Sequence, residues 1–234
     1  MKKDIYNDSS YFANNPTWHE EDAAFKVANI LKVLDGNLSD FNAVCEVGCG
    51  SGAILVQMSK HFPKTSSWTG YDISQNAIDI ANKKTSSKLN FKLKEITLED
   101  EAVNYDLMLV IDVIEHLENY FSFLDAIVSR SQYFVLHIPL DMSLWSLLRE
   151  GILIESKNRV GHIHNFTEDF IKSILQDHGF HIIKQIYTEP ISKAENGKQH
   201  LVNFIRKTLH LISPRLSSKI VGGYSIMLLA KSTQ

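Results

Sequence analysis

The chain has 234 residues, 44% of them hydrophobic and 22% charged, which is enough for one well-buried core and too little for two full-sized domains. Its 24 basic and 27 acidic residues leave a formal charge of -3, so a whole-molecule electrostatic pull toward nucleic acid is excluded and no nucleic-acid partner is expected. Cys45 and Cys49 are badly spaced for a bridge and too few for a zinc site, which makes a reducing cytoplasm the expected setting. Lys2 and Lys3 have no apolar stretch behind them, and no wholly apolar run exceeds the one at 107–111. Neither a signal peptide nor a membrane span is therefore expected.

A polar start leads into an amphipathic segment at 20–34, where Ala23, Ala24, Val27, Ile30, Leu31 and Leu34 recur at helical spacing. From Ala43 onward, short apolar runs at 43–47, 68–71, 89–93, 107–111 and 133–138 read as buried strands. Helix-like stretches at 53–61, 75–82 and 120–128 separate them, the alternation of a doubly wound α/β sheet with a parallel centre. The order loosens over 139–159 and recovers in a helix at 168–178. Thr167 suits its N-cap, Glu168 and Asp169 suit its positive end, and Gly179 suits its exit. Two more strands are expected at 182–187 and 224–230. Between them 198–219 carries Arg206, Lys207, Arg215 and Lys219 and no acid, a basic amphipathic insert. No repeat or linker marks a second domain, so 1–234 is expected to form one, with 1–40 as an N-terminal helical cap.

The first chemical signal is Glu46-Val47-Gly48-Cys49-Gly50-Ser51-Gly52, where a strand runs into three glycines and then a helix. Glycine permits positive φ and lets backbone N–H groups at a helix start approach a ligand closely. Gly48, Gly50 and Ala53 also satisfy the looser dinucleotide pattern, and a tight structural turn would use the same residues. The second signal is Asp72, which ends the next strand about twenty residues on, where a carboxylate can accept from both ribose hydroxyls. A capping role for Asp72 competes with this, although Ser74 is placed to cap instead.

Together with Asp112-Val113-Ile114-Glu115-His116-Leu117, these motifs resemble the class I S-adenosylmethionine-dependent methyltransferases, over residues 18–179. The resemblance implies a Rossmann-like, seven-stranded, mostly parallel sheet with helices on both faces and an antiparallel last strand. Glu46 would repel a pyrophosphate but favour the ammonium and sulfonium of S-adenosylmethionine. By the same resemblance Glu46, Gly48, Cys49, Gly50 and Gly52 line the methionine end of the cofactor, Asp72 holds the ribose, and Ile73 packs on the adenine. Glu95 and the Ile96 backbone lie near the adenine amino group, although Glu95 also reads as a solvated carboxylate. Asp112 to His116 face the methyl group.

The segment after the fourth strand lacks the Asn-Pro-Pro-Tyr or Asp-Pro-Pro-Tyr of methyltransferases acting on exocyclic amines of DNA bases or on glutamine. It is more similar to ubiquinone-type small-molecule O-methyltransferases. His116, His162 and His164 are the candidate base or acceptor clamp, with His137 nearby, and each also has a purely structural reading. His-x-His at 162–164 with Asp112 or Glu115 offers metal-ligand types, but no HExxH-like helical spacing is present and no metal is assigned. Tyr11, Trp18 and His19 can serve as a lid or as a hydrophobic staple. The expected activity is methyl transfer to an oxygen, less readily a carbon, of a small molecule. A dinucleotide-dependent oxidoreductase and a non-catalytic cofactor-binding subunit remain the alternatives. The 198–219 insert is expected either to cover the sheet or to make weak peripheral contact with an anionic membrane.

Overall fold

The computed structural model describes residues 20–35, 40–99, 104–149, 151–189 and 197–234. Tyr11, Trp18 and His19 lie outside them. Seven strands form one sheet in the order β3-β2-β1-β4-β5-β7-β6, with β1 Ala43–Val47, β2 Ser67–Asp72, β3 Leu89–Leu93, β4 Tyr105–Ile111, β5 Ser131–Pro139, β6 Phe180–Thr188 and β7 Ser225–Ser232. The first five pair in parallel, whereas β7 runs antiparallel to both β5 and β6. This is the sheet expected from the strand–helix alternation, including its antiparallel last strand.

The apolar runs are continuous because both faces of the sheet are covered. On β4, Met108 and Val110 enter one core while Leu107, Leu109 and Ile111 enter the other. On β7, Ile226, Leu228 and Ala230 take the first face, and Met227 and Leu229 the second. Helices α1 Ala23–Leu34, α2 Ala53–His61 and α3 Gln75–Ala81 pack on the second face. Helices α4 Tyr120–Val128 and α7 Glu168–Asp177 pack on the first. Cys45 and Cys49 are buried free thiols.

The stretch expected to be irregular contains two helices, α5 Leu144–Leu148 and α6 Ile152–Val160. Ser143 and Ser146 close a capping box on α5. Left-handed Gly151 and Gly161 bracket α6. Periodicity missed α6 because none of its residues is buried. Ser74 and Thr167 occupy the expected N-cap positions. Neither Ser74 nor Thr167 makes a side-chain capping bond, and the Ser74 N–H is instead bonded by Asp72.

The basic insert forms α8 Gly197–Ile212 and α9 Pro214–Ile220. Much of its apolar surface faces outward, with Leu211 87% and Ile212 73% exposed. Three of its cations are engaged within the chain: Arg215 and Lys219 pair with Asp169, and Arg206 donates to the Gly222 carbonyl. Among the described residues, no helix is long and apolar enough to cross a membrane.

Candidate functional site: a glycine-loop cleft with an acid–imidazole end

A cleft of about 1260 Å³ opens at the carboxyl ends of β1, β2 and β4, large enough for a nucleotide-sized ligand and a second molecule. The glycine loop forms one wall. Gly48 has φ +68°, and a Cβ there would meet Val113 Cγ2 at 2.8 Å. Gly52 has φ +75° and is backed by the Phe91 ring, which an added Cβ would meet at 2.4 Å. The loop therefore turns without side chains and leaves its backbone bare to the cleft. Gly48, Cys49 and Gly50 line the cleft, whereas Gly52, expected there too, is not among its lining residues and shapes the turn from behind.

Asp72 holds this loop from β2. One carboxylate oxygen accepts from Gly50 N–H at 2.8 Å and the other from Ser74 N–H at 2.8 Å. Each oxygen can accept a second hydrogen bond, so the carboxylate has capacity left toward the cleft it lines. Burial raises its pKa, and the N–H bonds from Ser74 and Gly50 work against that. Beyond it Ile73 is 51% exposed, an apolar surface offered to the cleft. Glu95 and Ile96 line the same end; Ile96 is buried, and Glu95 is exposed and accepts from the Thr97 hydroxyl at 2.6 Å.

At the other end Glu46 is 1% exposed and its Oε2 is buried with no hydrogen-bond partner. Burial pushes its carboxyl well above the usual range, only partly offset by Lys26. Asp112 directly follows β4 at φ +54°, the one non-glycine at positive φ among the described residues. Lys26 on α1 pairs with its Oδ2 at 2.7 Å, and His137 Nδ1 donates to its Oδ1 at 2.5 Å. Burial alone would raise the pKa of Asp112, but His137 and Lys26 hold it far below the carboxylate range. The β4–β5 register sets Ile111 beside His137, which brings this pair together. Thr188 on β6 fixes the other ring nitrogen of His137 at 2.8 Å.

Past Asp112, Glu115 and His116 share a short turn, Ile114–His116. The Glu115 carbonyl accepts from the N–H groups of Ile163 and His164, which ties the Gly161–His162–Ile163–His164 loop to the end of β4. His116 and His162 line the cleft with ring centroids 5.0 Å apart. Burial holds His116 down at about 4, so its ring is uncharged near neutral pH. His164 departs from the expectation of a base or clamp. Its Nε2 donates to the Leu117 carbonyl at 2.9 Å, its ring packs against Tyr120 and Phe166, and it does not line the cleft. Sequence reasoning missed Lys26 and Thr188 because both reach the site from distant segments. Glu115 was expected in the segment facing the methyl group and as a possible metal ligand, and it does line the cleft.

A family model described as a methyltransferase domain matches residues 18–185. The chain belongs to the class I S-adenosylmethionine-dependent methyltransferases. The fold of this methyltransferase is shared by solved structures of low sequence identity. The N-methyltransferase NodS from Bradyrhizobium japonicum WM9, solved with S-adenosyl-L-homocysteine, is 15% identical, with 97% of this chain and 100% of that one covered and a TM-score of 0.63. Magnesium protoporphyrin IX methyltransferase from Synechocystis PCC 6803, with the same ligand, is 18% identical over 99% and 97%, with a TM-score of 0.60. An S-adenosylmethionine-dependent methyltransferase from Archaeoglobus fulgidus is 20% identical over 95% and 99%, with a TM-score of 0.65. No curated protein matches the sequence significantly.

The residues present fit the cofactor of this methyltransferase family. Glu46 presents a buried carboxyl oxygen that lacks a partner, which an ammonium group can satisfy. The bare glycine backbone and the spare acceptor capacity of Asp72 suit the rest of the molecule. The dinucleotide-oxidoreductase alternative is set aside by the family.

Proposed function

We propose that the methyltransferase transfers the methyl group to an oxygen of a small-molecule acceptor bound at the acid–imidazole end of the cleft. The observation that carries this reading is the gathering of His116 and His162 with Glu115 on the cleft wall beyond Asp112. A hydroxyl acceptor must give up a proton, and uncharged imidazoles are suited to hold and orient the group that does so. The absence of an Asn-Pro-Pro-Tyr-type segment after β4 points away from exocyclic amines of DNA bases and from glutamine as acceptors.

S-adenosylmethionine, when bound, supplies a methyl group on a positively charged sulfur. Glu46, Gly48, Cys49 and Gly50 would hold its methionine end, Asp72 its ribose, and Ile73, Glu95 and the Ile96 backbone its adenine. Asp112, fixed by Lys26 and His137, keeps the end of β4 in its left-handed turn, so that Glu115 and His116 face the cleft rather than solvent. Incubation with methyl-labelled cofactor and a panel of hydroxyl, amine and C–H acid acceptors is expected to give product labelled on oxygen, read by NMR. Label found only on nitrogen would overturn the reading.

For the partner we propose a bilayer surface that presents an apolar acceptor, reached through α8 and α9. Phe204, Leu211 and Ile212 are exposed, and the 198–219 stretch contains no acid. Because Arg206, Arg215 and Lys219 are engaged within the chain, apolar burial supplies most of the binding and salt weakens it little. The protein is expected to sediment with phosphatidylglycerol vesicles, and a Phe204→Asp, Leu211→Asp variant to remain in the supernatant. Equal sedimentation of the two proteins would rule out this surface.

A further inference from the structure

We propose that Glu115, His116 and His162 form a binding site for one divalent transition-metal ion, which holds the acceptor hydroxyl. The role given to the hydroxyl rests on the oxygen-acceptor reading above, but the ion site itself does not.

The ligand atoms of the three side chains all lie within 4.8 Å of one another. Nε2 of His116 is 3.9 Å and Nε2 of His162 is 4.0 Å from the same carboxylate oxygen, Glu115 Oε1. Both distances are too long for hydrogen bonds. Both oxygens of Glu115 are nevertheless buried with no hydrogen-bond partner, and its side chain is 0% exposed. A buried carboxyl left in that state is costly unless something satisfies it. A cation between the three groups does so. Around a tetrahedral zinc, with bonds of about 2.0–2.2 Å, ligand atoms stand roughly 3.4 Å apart, so the two carboxylate–imidazole distances need to shorten by about half an ångström and the imidazole–imidazole separation by at most about 1.4 Å.

The far sides of both rings are arranged for this role. His116 donates from Nδ1 to the Gly161 carbonyl at 3.1 Å, and His162 donates from Nδ1 to Asp141 at 2.6 Å. A remote N–H given to a carbonyl or carboxylate is how metal-ligating imidazoles are usually oriented, and here both place Nε2 on the side facing Glu115. The backbone supports the convergence, because Ile163 and His164 bond the Glu115 carbonyl and hold His162 against the β4 turn. Nearby charge also bears on the site, with Asp112 and Asp141 acting on the Glu115 carboxyl and Lys26 opposing them. Helical spacing of ligands, whose absence counted against a metal in the sequence, is not needed when a turn and a loop supply them.

Two imidazoles and one carboxylate, all on the cleft wall, leave the remaining coordination positions open to the cleft. This is the pattern of an ion that binds substrate rather than one that only braces a fold. A hydroxyl bound there loses its proton to water at lower pH than it does free, which readies the oxygen for methylation.

The test is calorimetric titration of the chelator-stripped protein with zinc chloride alone, followed by thermal unfolding with and without zinc. One saturating site and a raised unfolding midpoint are expected in the wild type. Glu115→Gln and His162→Ala should each weaken that site by at least about tenfold. His178→Ala, which alters a half-buried histidine paired with Asp125 outside the cleft lining, should leave it unchanged. Asp141→Asn keeps all three ligands and should weaken zinc by a smaller factor, so it serves where the ligand variants fail to fold. Absence of saturable binding, or equal affinity in Glu115→Gln and the wild type, would overturn the site. Neither result bears on whether product carries its label on oxygen, and an N-labelled product would leave the zinc result standing.

Discussion

Replacing Asp72 by Ala is expected to weaken S-adenosylmethionine binding by about 30- to 1,000-fold, roughly 2–4 kcal/mol, for the loss of two hydrogen bonds to a charged acceptor. The substitution also removes the group to which Gly50 and Ser74 donate, so the glycine loop loses its tie to β2. Asp72→Asn separates these effects in part. It keeps one acceptor oxygen but turns an amide N–H₂ toward a backbone donor, so it should recover little of the affinity. Calorimetry with S-adenosylhomocysteine on protein shown to be folded measures the effect. Unchanged affinity in Asp72→Ala would leave the carboxylate with a loop-holding role alone.

His116→Ala is expected to lose turnover by about a hundredfold or more while its cofactor affinity stays at the wild-type level. The ring lines the cleft from the short turn after β4, a different element from those that carry Asp72 and Glu46, so its removal should separate kcat from cofactor Kd. His164→Ala provides the contrast. That ring packs on Tyr120 and Phe166 and bonds the Leu117 carbonyl, so its loss should lower the unfolding midpoint and spare the turnover of the folded fraction. If His116→Ala unfolds, or loses cofactor affinity in parallel with turnover, the residue is a support for its loop and not part of the acceptor site.

The parts of the site that lie in one short stretch were legible in the sequence. The three glycines, Glu46 and Asp72 each follow directly from a strand end, and the β-run, turn and helix pattern around them is local. The bounds of β1, β3, α2 and α4 matched the expected 43–47, 89–93, 53–61 and 120–128 because turn residues flank each of them. What remained hidden depends on register and on contacts between distant segments. Nothing near Lys26 signals that it will meet Asp112, since that pairing needs α1 laid across the carboxyl end of β4. The paired histidines at 162 and 164 look equivalent in sequence, yet the loop turns one ring into the cleft and the other onto Tyr120. Helix α6 was missed because it buries no side chain, although the two glycines that bracket it were there to be read.

The place of β7 in the sheet has a consequence for how the chain assembles during synthesis. β7 comes last among the strands but lies between β5 and β6, with Ile226 to Ala230 wholly buried. Until it emerges from the ribosome, β6 has no sheet neighbour and the edge of β5 stays open, a surface prone to pairing with other nascent chains. β1 to β4, which carry the glycine loop and Asp72, can be in place well before that. Thr188 reaches the His137–Asp112 pair only once β7 has zipped β6 to β5, through the registers Thr188↔Ser225 and Pro139↔Ser225. The cofactor half of the cleft can therefore mature earlier in translation than the acceptor half, whose bracing waits for β7.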